Sequence, residues 1–492
     1  MKNSELLQGN FFRSIFIITM IALTGLTACT IGDNPSDKPN IIYIMLDEVA
    51  YYEPSYMGNT KLRTANIDRM AEEGVIFTNA YSGASNCAPT RVCLMTGKHM
   101  GHSSMRSNAG GEPIRADEET VASMLKNAGY VTGGFGKWGC GNRGTSGVPE
   151  KHGFDVFFGY YDQVHAHSFY PEYLIRNSME VTLEGNTGAF YHGETHAQDE
   201  IFKESVNFIR NNADRPFFCY LPWTPPHGLW GIPEDHSSYK LFADKEWKVK
   251  GSWKEDDGIR YAALLHMADT QIGEIFKLLR ELGIDDNTIV FFSGDNGGFH
   301  YFRSEENPRG LFGGNVHPET GDEFRGRKGN VYEGGIKIPM VVRWPGKIMP
   351  GTTNDMVCYF PDFMATAADI AEVDVPEECD GLSILPTLLG KGDQQQHEYM
   401  FWTDRNKHAI RSGKWKAYAV FTEKEGPVNY ELYNLQEDPG ETNNLASSEG
   451  KVLAELKEFM KEAYAEPVGG EIYDRELYLK DHEINKPYPP RL

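Results

Sequence analysis

The run Asn40-Ile41-Ile42-Tyr43-Ile44-Met45-Leu46, followed at once by Asp47-Glu48, decides how this chain is read. An apolar run rich in isoleucine with no polar alternation describes a strand covered on both faces, as at the centre of a parallel sheet. Two carboxylates just past its end stand at the carboxyl edge, where open α/β sheets bind ligands. Runs of the same kind recur at Tyr130 to Phe135, Pro216 to Leu221, Thr288 to Ser293 and Pro339 to Trp344. Between them, Thr64 to Glu73 closed by Gly74, Glu118 to Ala128 closed by Gly129, and Tyr261 to Glu281 closed by Leu282-Gly283 read as helices with glycine C-caps. The alternation predicts an α/β fold, a doubly wound mixed sheet flanked by helices.

Several other predicted strands also end in residues able to do chemistry. Thr288 to Ser293 delivers Asp295 and Asn296 in the turn Ser-Gly-Asp-Asn-Gly-Gly, Tyr130 to Phe135 leads into Lys137, and Pro216 to Leu221 leads through Pro-Trp-Thr-Pro-Pro into His227. Asp47, Glu48, Asp295 and Asn296 would bring three carboxylates and an amide together, a set that suits calcium, which takes oxygen ligands in irregular geometry. Either pair alone reads equally as an Asx turn or a helix cap; two pairs, each directly after an apolar strand, favour the metal. Gly134-Phe-Gly-Lys-Trp-Gly139 formally matches GxGxxG, but a Gly- and Pro-rich stretch follows it instead of a helix, which excludes a dinucleotide site.

The 492 residues, 40% of them hydrophobic, suffice for one large domain and a smaller one. With 48 Lys and Arg against 70 Asp and Glu, the net charge of -22 excludes nucleic acid as a partner, and an anionic substrate would need a local basic pocket and bound cations. The seven cysteines, at 29, 87, 93, 140, 219, 358 and 379, form no CxxC pair, which argues against structural zinc. Lys2 and Arg13 precede the apolar run Ile15 to Leu26, too short for a membrane span, and Leu26-Thr-Ala-Cys29 resembles a lipobox. The predicted organisation is a lipoprotein signal peptide over 1–28, a linker over 29–39, a catalytic domain over 40–390 and a C-terminal α+β subdomain over 391–492. In the last, Arg411 to Phe421 and Asn429 to Asn434 look like hairpin segments, with a helix over Lys451 to Ala465.

Between the first strands lies Ser85-Asn-Cys87-Ala-Pro-Thr90-Arg91-Val-Cys-Leu-Met-Thr-Gly97. Cys-x-Pro-x-Arg with Leu-x-Thr-Gly resembles the signature of type I sulfatases, members of the alkaline phosphatase superfamily. Lys328-Gly-Asn-Val-Tyr-Glu-Gly-Gly335 and Glu431-Leu-Tyr-Asn-Leu are similar to the same family, and the resemblance covers roughly residues 38 to 390.

The resemblance implies an alkaline-phosphatase-like fold and a sulfuric ester hydrolase whose nucleophile is formylglycine (3-oxoalanine), made from Cys87 by a sulfatase-maturating enzyme. It implies calcium on Asp47, Glu48, Asp295, Asn296 and the modified Cys87. Arg91 would hydrogen-bond the hydroxyls of the nucleophile or the metal-site carboxylates, Lys137 and Lys328 would contact the sulfate oxygens, and His227 would bind the sulfate and protonate the departing alcohol. The implied substrate is an organic sulfate, in particular a sulfated glycan. The implied place is an exported bacterial lipoprotein anchored by lipid on Cys29, periplasmic or at the cell surface. A phosphonate or phosphodiester hydrolase and an inactive sugar-binding lipoprotein are the alternatives.

The sequence departs from the family pattern at Glu48, where an aspartate is common, at Lys337, where arginine is common, and at Gly139, where a histidine is common. His165 and His167 are the candidates to replace that histidine, with His167 preferred. His102, Arg106 and Asn108 are candidates for the pocket mouth, and Tyr160, Tyr161, Phe169 and Tyr170 for a face that stacks on a sugar, with ordinary surface or core packing the alternative for each.

Overall fold

A computed structural model describes residues 38–108, 112–422 and 426–484. The lipobox and signal-peptide readings, and the linker as far as residue 37, lie outside them. Among the described residues no helix is long and apolar enough to cross a membrane.

The chain forms β1 (Asn40–Asp47), β2 (Val75–Tyr81), β3 (Val131–Lys137), β4 (Val156–Tyr160), β5 (Tyr173–Arg176), β6 (Met179–Thr182), β7 (Phe217–Pro226), β8 (Thr288–Gly294), β9 (Met340–Arg343) and β10 (Thr352–Tyr359). These make one ten-stranded mixed sheet in the order β10-β2-β9-β8-β1-β7-β3-β4-β5-β6. β1 lies at its centre, parallel to both β7 and β8. Its alternation serves two cores at once. Ile42, Ile44 and Leu46 enter one apolar cluster with the helix Asp257–Glu281, while Ile41, Tyr43 and Met45 enter another with the helix Asp362–Ala371. Each fully buried aliphatic side chain contributes about 1.5–3 kcal/mol, so a polar residue at either set would be costly.

β11 (Met400–Asp404), β12 (Lys407–Ser412), β13 (Trp415–Thr422) and β14 (Gly426–Asn434) form a second, antiparallel sheet, with the helix Gly450–Glu462 packed on it. It joins the large sheet through buried charge. Lys416 Nζ reaches Glu333 Oε1 and Glu441 Oε1, both at 2.9 Å, and Tyr81 donates to Glu333 Oε2 at 2.6 Å.

The structure corrects several expected boundaries. The strand expected to end at Leu221 runs on through Pro222-Trp-Thr-Pro-Pro226, the end of β7. β3 pairs with β7 only as far as Tyr220, so these prolines lie where no β3 neighbour needs their missing N–H groups. The long helix starts at Asp257, four residues before the expected Tyr261, and its first turn is held by burial of Asp257 to Arg260. Gly74 is not a left-handed cap; its φ is -137°, and it is needed because a Cβ would stand 2.3 Å from the Val342 carbonyl oxygen.

Candidate active site

Asp47 closes β1, Lys137 closes β3, Asp295 follows β8 and His227 follows β7, so four neighbouring strands deliver side chains to one edge. Cys87 begins the helix Cys87–Thr96, whose free N–H groups and dipole face that edge. Thr90 fixes the turn before it: its hydroxyl accepts from the N–H groups of Gly83 and Ala84 and donates to the Asp295 carbonyl at 2.9 Å. Glu48 has φ 64°, left-handed for a residue with a side chain, a strain of about 1–3 kcal/mol that the surrounding contacts hold in place.

The charges form one network. Lys137 Nζ donates to Asp47 Oδ2 at 2.6 Å, and Arg91 donates to Asp295 Oδ2 at 2.9 Å and to the Lys137 carbonyl at 2.7 Å. Lys328 Nζ is 3.0 Å from Cys87 Sγ, which lies 3.4 Å from Asp47 Oδ1. His227 Nε2 lies 3.1 Å from Glu48 Oε1, and Lys328 and the Tyr301 hydroxyl also contact the Glu48 carboxylate.

Burial would raise Asp47, but Lys137, His227, Arg91 and Lys328 together hold its carboxyl well below the ordinary range. Asp295 goes the other way, pushed up to about 7 by burial and by Asp47. Burial pushes Lys328 down to about 8, with Asp47 opposing, and His227 down to about 4, again against Asp47. Burial also raises the Cys87 thiol, and Asp47 raises it further; an unmodified cysteine here is a poor nucleophile.

The carboxylates of Asp47 and Glu48 suit a hard cation, while the Cys87 thiol and His227 imidazole beside them are softer donors. Asp47, Glu48, Cys87 and His227 offer ligand atoms within 4.8 Å of one another. Asn296 is fully buried, with an Oδ1 that finds no donor, and a metal supplies what such an oxygen lacks.

The residues singled out from sequence thus come together; Asn296, next to Asp295 in the chain, donates its amide to the Gly297 carbonyl at 2.9 Å. His167 stacks on His227, centroids 4.8 Å apart, while His165 is buried against Tyr160 and Tyr173. The place of the family's histidine is taken by neither. Gly139 has φ 76°, and the Gln163 amide fills the space its side chain would occupy. Sequence reasoning passed over Gln163; the glycine was the signal that another group had to fill that volume.

Other expectations fail. Tyr160, Tyr161, Phe169 and Tyr170 are each at most 2% exposed, core residues that offer a sugar no face. His102 turns to Asp380, and Arg106 to the carbonyls of Gly101, Ser103 and Ala465; of that trio only Asn108 faces the site, accepting from the Ala88 N–H at 2.8 Å. Lys337 donates to Asn79 Oδ1 and sits among the rings of Tyr51, Tyr81 and Phe324, a packing role that leaves the chemistry alone.

Two hollows open beside the network. One, of about 290 Å³, is lined by Ala88, Asn108, Gly139, Asp162, Gln163 and His482 among others; the second, of about 260 Å³, by His167, His227, Trp230, Trp253 and Tyr301 among others.

The sequence model described as Sulfatase matches residues 39–373. This chain belongs to the sulfatase family, within the alkaline phosphatase superfamily. The sulfatase is a sulfuric ester hydrolase. The model described as N-sulphoglucosamine sulphohydrolase, C-terminal, matches residues 325–466. The sulfatase is 29% identical to an N-acetylgalactosamine-6-O-sulfatase of Bacteroides thetaiotaomicron, covering 87% of this chain and 94% of the other. It is 30% identical to an arylsulfatase of Hemicentrotus pulcherrimus over 78% of this chain and 68% of that one. A solved structure from work on glycosaminoglycan metabolism by Bacteroides thetaiotaomicron is 28% identical, with a TM-score of 0.67, covering 87% of this chain and 99% of that one.

Proposed function

We propose that this sulfatase removes sulfate from a sulfated carbohydrate, with formylglycine made from Cys87 as nucleophile and calcium held by Asp47, Glu48, Asp295 and Asn296. The observation that carries the reading is the placement of Cys87: at a helix N-terminus, beside Asp47 and within hydrogen-bond reach of Lys328. The similarity to an N-acetylgalactosamine-6-O-sulfatase supports a sugar as the carrier of the sulfate.

When bound, calcium supplies positive charge to a sulfate oxygen and to the nucleophilic hydroxyl. The side chains supply the rest. Lys137 and Lys328 neutralise the equatorial oxygens as charge builds there. A hydrated aldehyde at position 87 would supply a hydroxyl to attack sulfur, its proton passing to a neighbouring carboxylate as the ester S–O bond breaks, and His227 would give its proton to the departing alcohol. The anionic ester favours the protonated imidazole, against the burial that disfavours it. Loss of the proton from its second hydroxyl would release sulfate by C–O cleavage and restore the aldehyde, which water would rehydrate. Gln163 cannot take that proton, since an amide is no base at neutral pH; His167, stacked on His227, remains our candidate.

The N-terminal Leu26-Thr-Ala-Cys29 supports export as a bacterial lipoprotein anchored through Cys29, at the periplasmic or outer face of a membrane.

The test is peptide mass spectrometry across Cys87 from protein co-expressed with a maturation enzyme, then turnover of sulfated sugars and of phosphodiesters. Conversion to the aldehyde with release of sulfate supports the reading. Unmodified thiol, or release of phosphate with no release of sulfate, overturns it.

A further inference from the structure

We propose that a hollow walled by Trp253, Phe299, Lys250, Arg303 and Arg327 is a second anion subsite, which holds a further sulfate or carboxylate on the same glycan. This rests on the carbohydrate sulfatase reading and adds that the preferred substrate carries more than one negative group.

The position is fixed by shared walls. This hollow, of about 230 Å³, has Trp230, Trp253 and Tyr301 in common with the one lined by His227 and His167. Arg327 is the chain neighbour of Lys328, the lysine beside Cys87, and the Lys328 N–H donates to the Gly298 carbonyl at 3.1 Å, next to Phe299. A sugar adjoining the one under attack would come to rest there.

The chemistry of the walls is that of an anionic sugar site. Arg327 lies over the Phe299 ring, 4.5 Å from its centroid, and Arg303 Nε donates to the Pro308 carbonyl. Among the described residues, neither they nor Lys250 forms an ion pair with a carboxylate, whereas nearby Arg309 is paired with Glu323. Three unpaired cations at one hollow are unexpected on a chain of net charge -22, which has acidic groups in excess to pair them. Burial lowers His300 in the same wall, and the charges of Arg327, Arg303 and Arg309 add to that lowering against Glu323, so the local field is positive. Phe299 is 39% exposed, a large apolar ring left in solvent beside two arginines, and rings so placed take the C–H face of a sugar while guanidinium forks take its anions.

The opposite hollow has the reverse character. Glu112, Asp162, Asn108 and Asn142 are among its lining residues and no lysine or arginine is. It suits an uncharged sugar face, so the two hollows would orient the substrate with its extra anion toward Arg303 and Arg327.

The experiment compares kcat/KM for a monosulfated sugar, for the same sugar linked to a second sulfated residue, and for that sugar linked to a uronate, in the parent enzyme and in Arg303→Gln and Arg303→Gln/Arg327→Gln. The expected result is a preference for a doubly charged substrate that falls by about tenfold in the double variant and weakens with salt. The second-sulfate and uronate arms show which anion is preferred. A preference that is absent in the parent, or unchanged in the variants, overturns the subsite. The same comparison by calorimetry in Cys87→Ala reads binding without turnover. Selective binding with no turnover of any sulfated sugar by the parent would sink the activity reading and leave the subsite standing.

Discussion

Gln163 Nε2 lies 1.8 Å from the point where a Cβ on Gly139 would stand. Both polar atoms of that amide are buried without a partner. A histidine restored at 139 would meet the amide and would also have to adopt a φ of 76°. Gly139→His alone should lose about 1–3 kcal/mol of stability with most activity, and Gly139→His/Gln163→Ala should recover much of the melting temperature. Thermal denaturation of both variants checks it; equal melting temperatures would mean that the two side chains do not compete for the space.

Asp295, with its carboxyl pushed up to about 7 by burial and by Asp47, is a cost that a divalent cation removes. Calcium at 100 times its dissociation constant should therefore stabilise the fold by about 2.7 kcal/mol, and chelation should reverse both this and the activity. In Asp295→Asn the calcium-induced shift in melting temperature should shrink markedly. An undiminished shift would place the calcium somewhere else.

Lys416 is fully buried between two carboxylates. Glu333 is held down at about 2, where Lys416, Lys337, Arg411 and the Tyr81 hydroxyl together outweigh burial, while Glu441 is pushed up to about 7 by burial with Lys416 opposing. Lys416, helped by Lys337 and Arg411, thus keeps one carboxylate charged, while the other is partly protonated at neutral pH. Lys416→Met should cost about 3–5 kcal/mol in urea unfolding, because a buried carboxylate then stands alone. Adding Glu333→Gln should return part of it.

His408 is 7% exposed, ringed by Phe401, Phe421 and Tyr464, and lowered to about 4 by burial with Arg106 adding to it. The unfolded chain binds this proton below about pH 6.5 and the folded chain only below about 4. Its contribution is complete above pH 6.5 and is lost as pH falls through that window, up to about 3 kcal/mol. His408→Phe should flatten that part of the stability curve, and His99, also lowered to about 4 by burial, should supply a remaining slope.

The central strands and the residues at their ends were legible in the sequence because their chemistry is local. An apolar run such as Asn40 to Leu46 must be covered on both sides, and a charged residue after it must stand at the sheet edge. Exposure was not legible in the same way. Tyr160 and Tyr170 look like any pair of tyrosines suited to stack on a sugar, and only the packing around them shows that both are sealed in the core. Gln163 was harder still, since its position depends on what Gly139 lacks. Trp230, Trp253 and Arg303 are far apart along the chain, with no shared motif to announce that they line one wall.

Cys87 is 1% exposed, closed in by Asp47, Lys328 and the loops that carry them. Asp47 lies 40 residues before it and Lys328 lies 241 after it, so the pocket is finished only when nearly the whole large sheet has formed. If Cys87 is converted as proposed, the converting enzyme would have to meet this thiol on the unfolded chain. Under that reading the burial of one side chain would set the order of events: oxidation first, folding second.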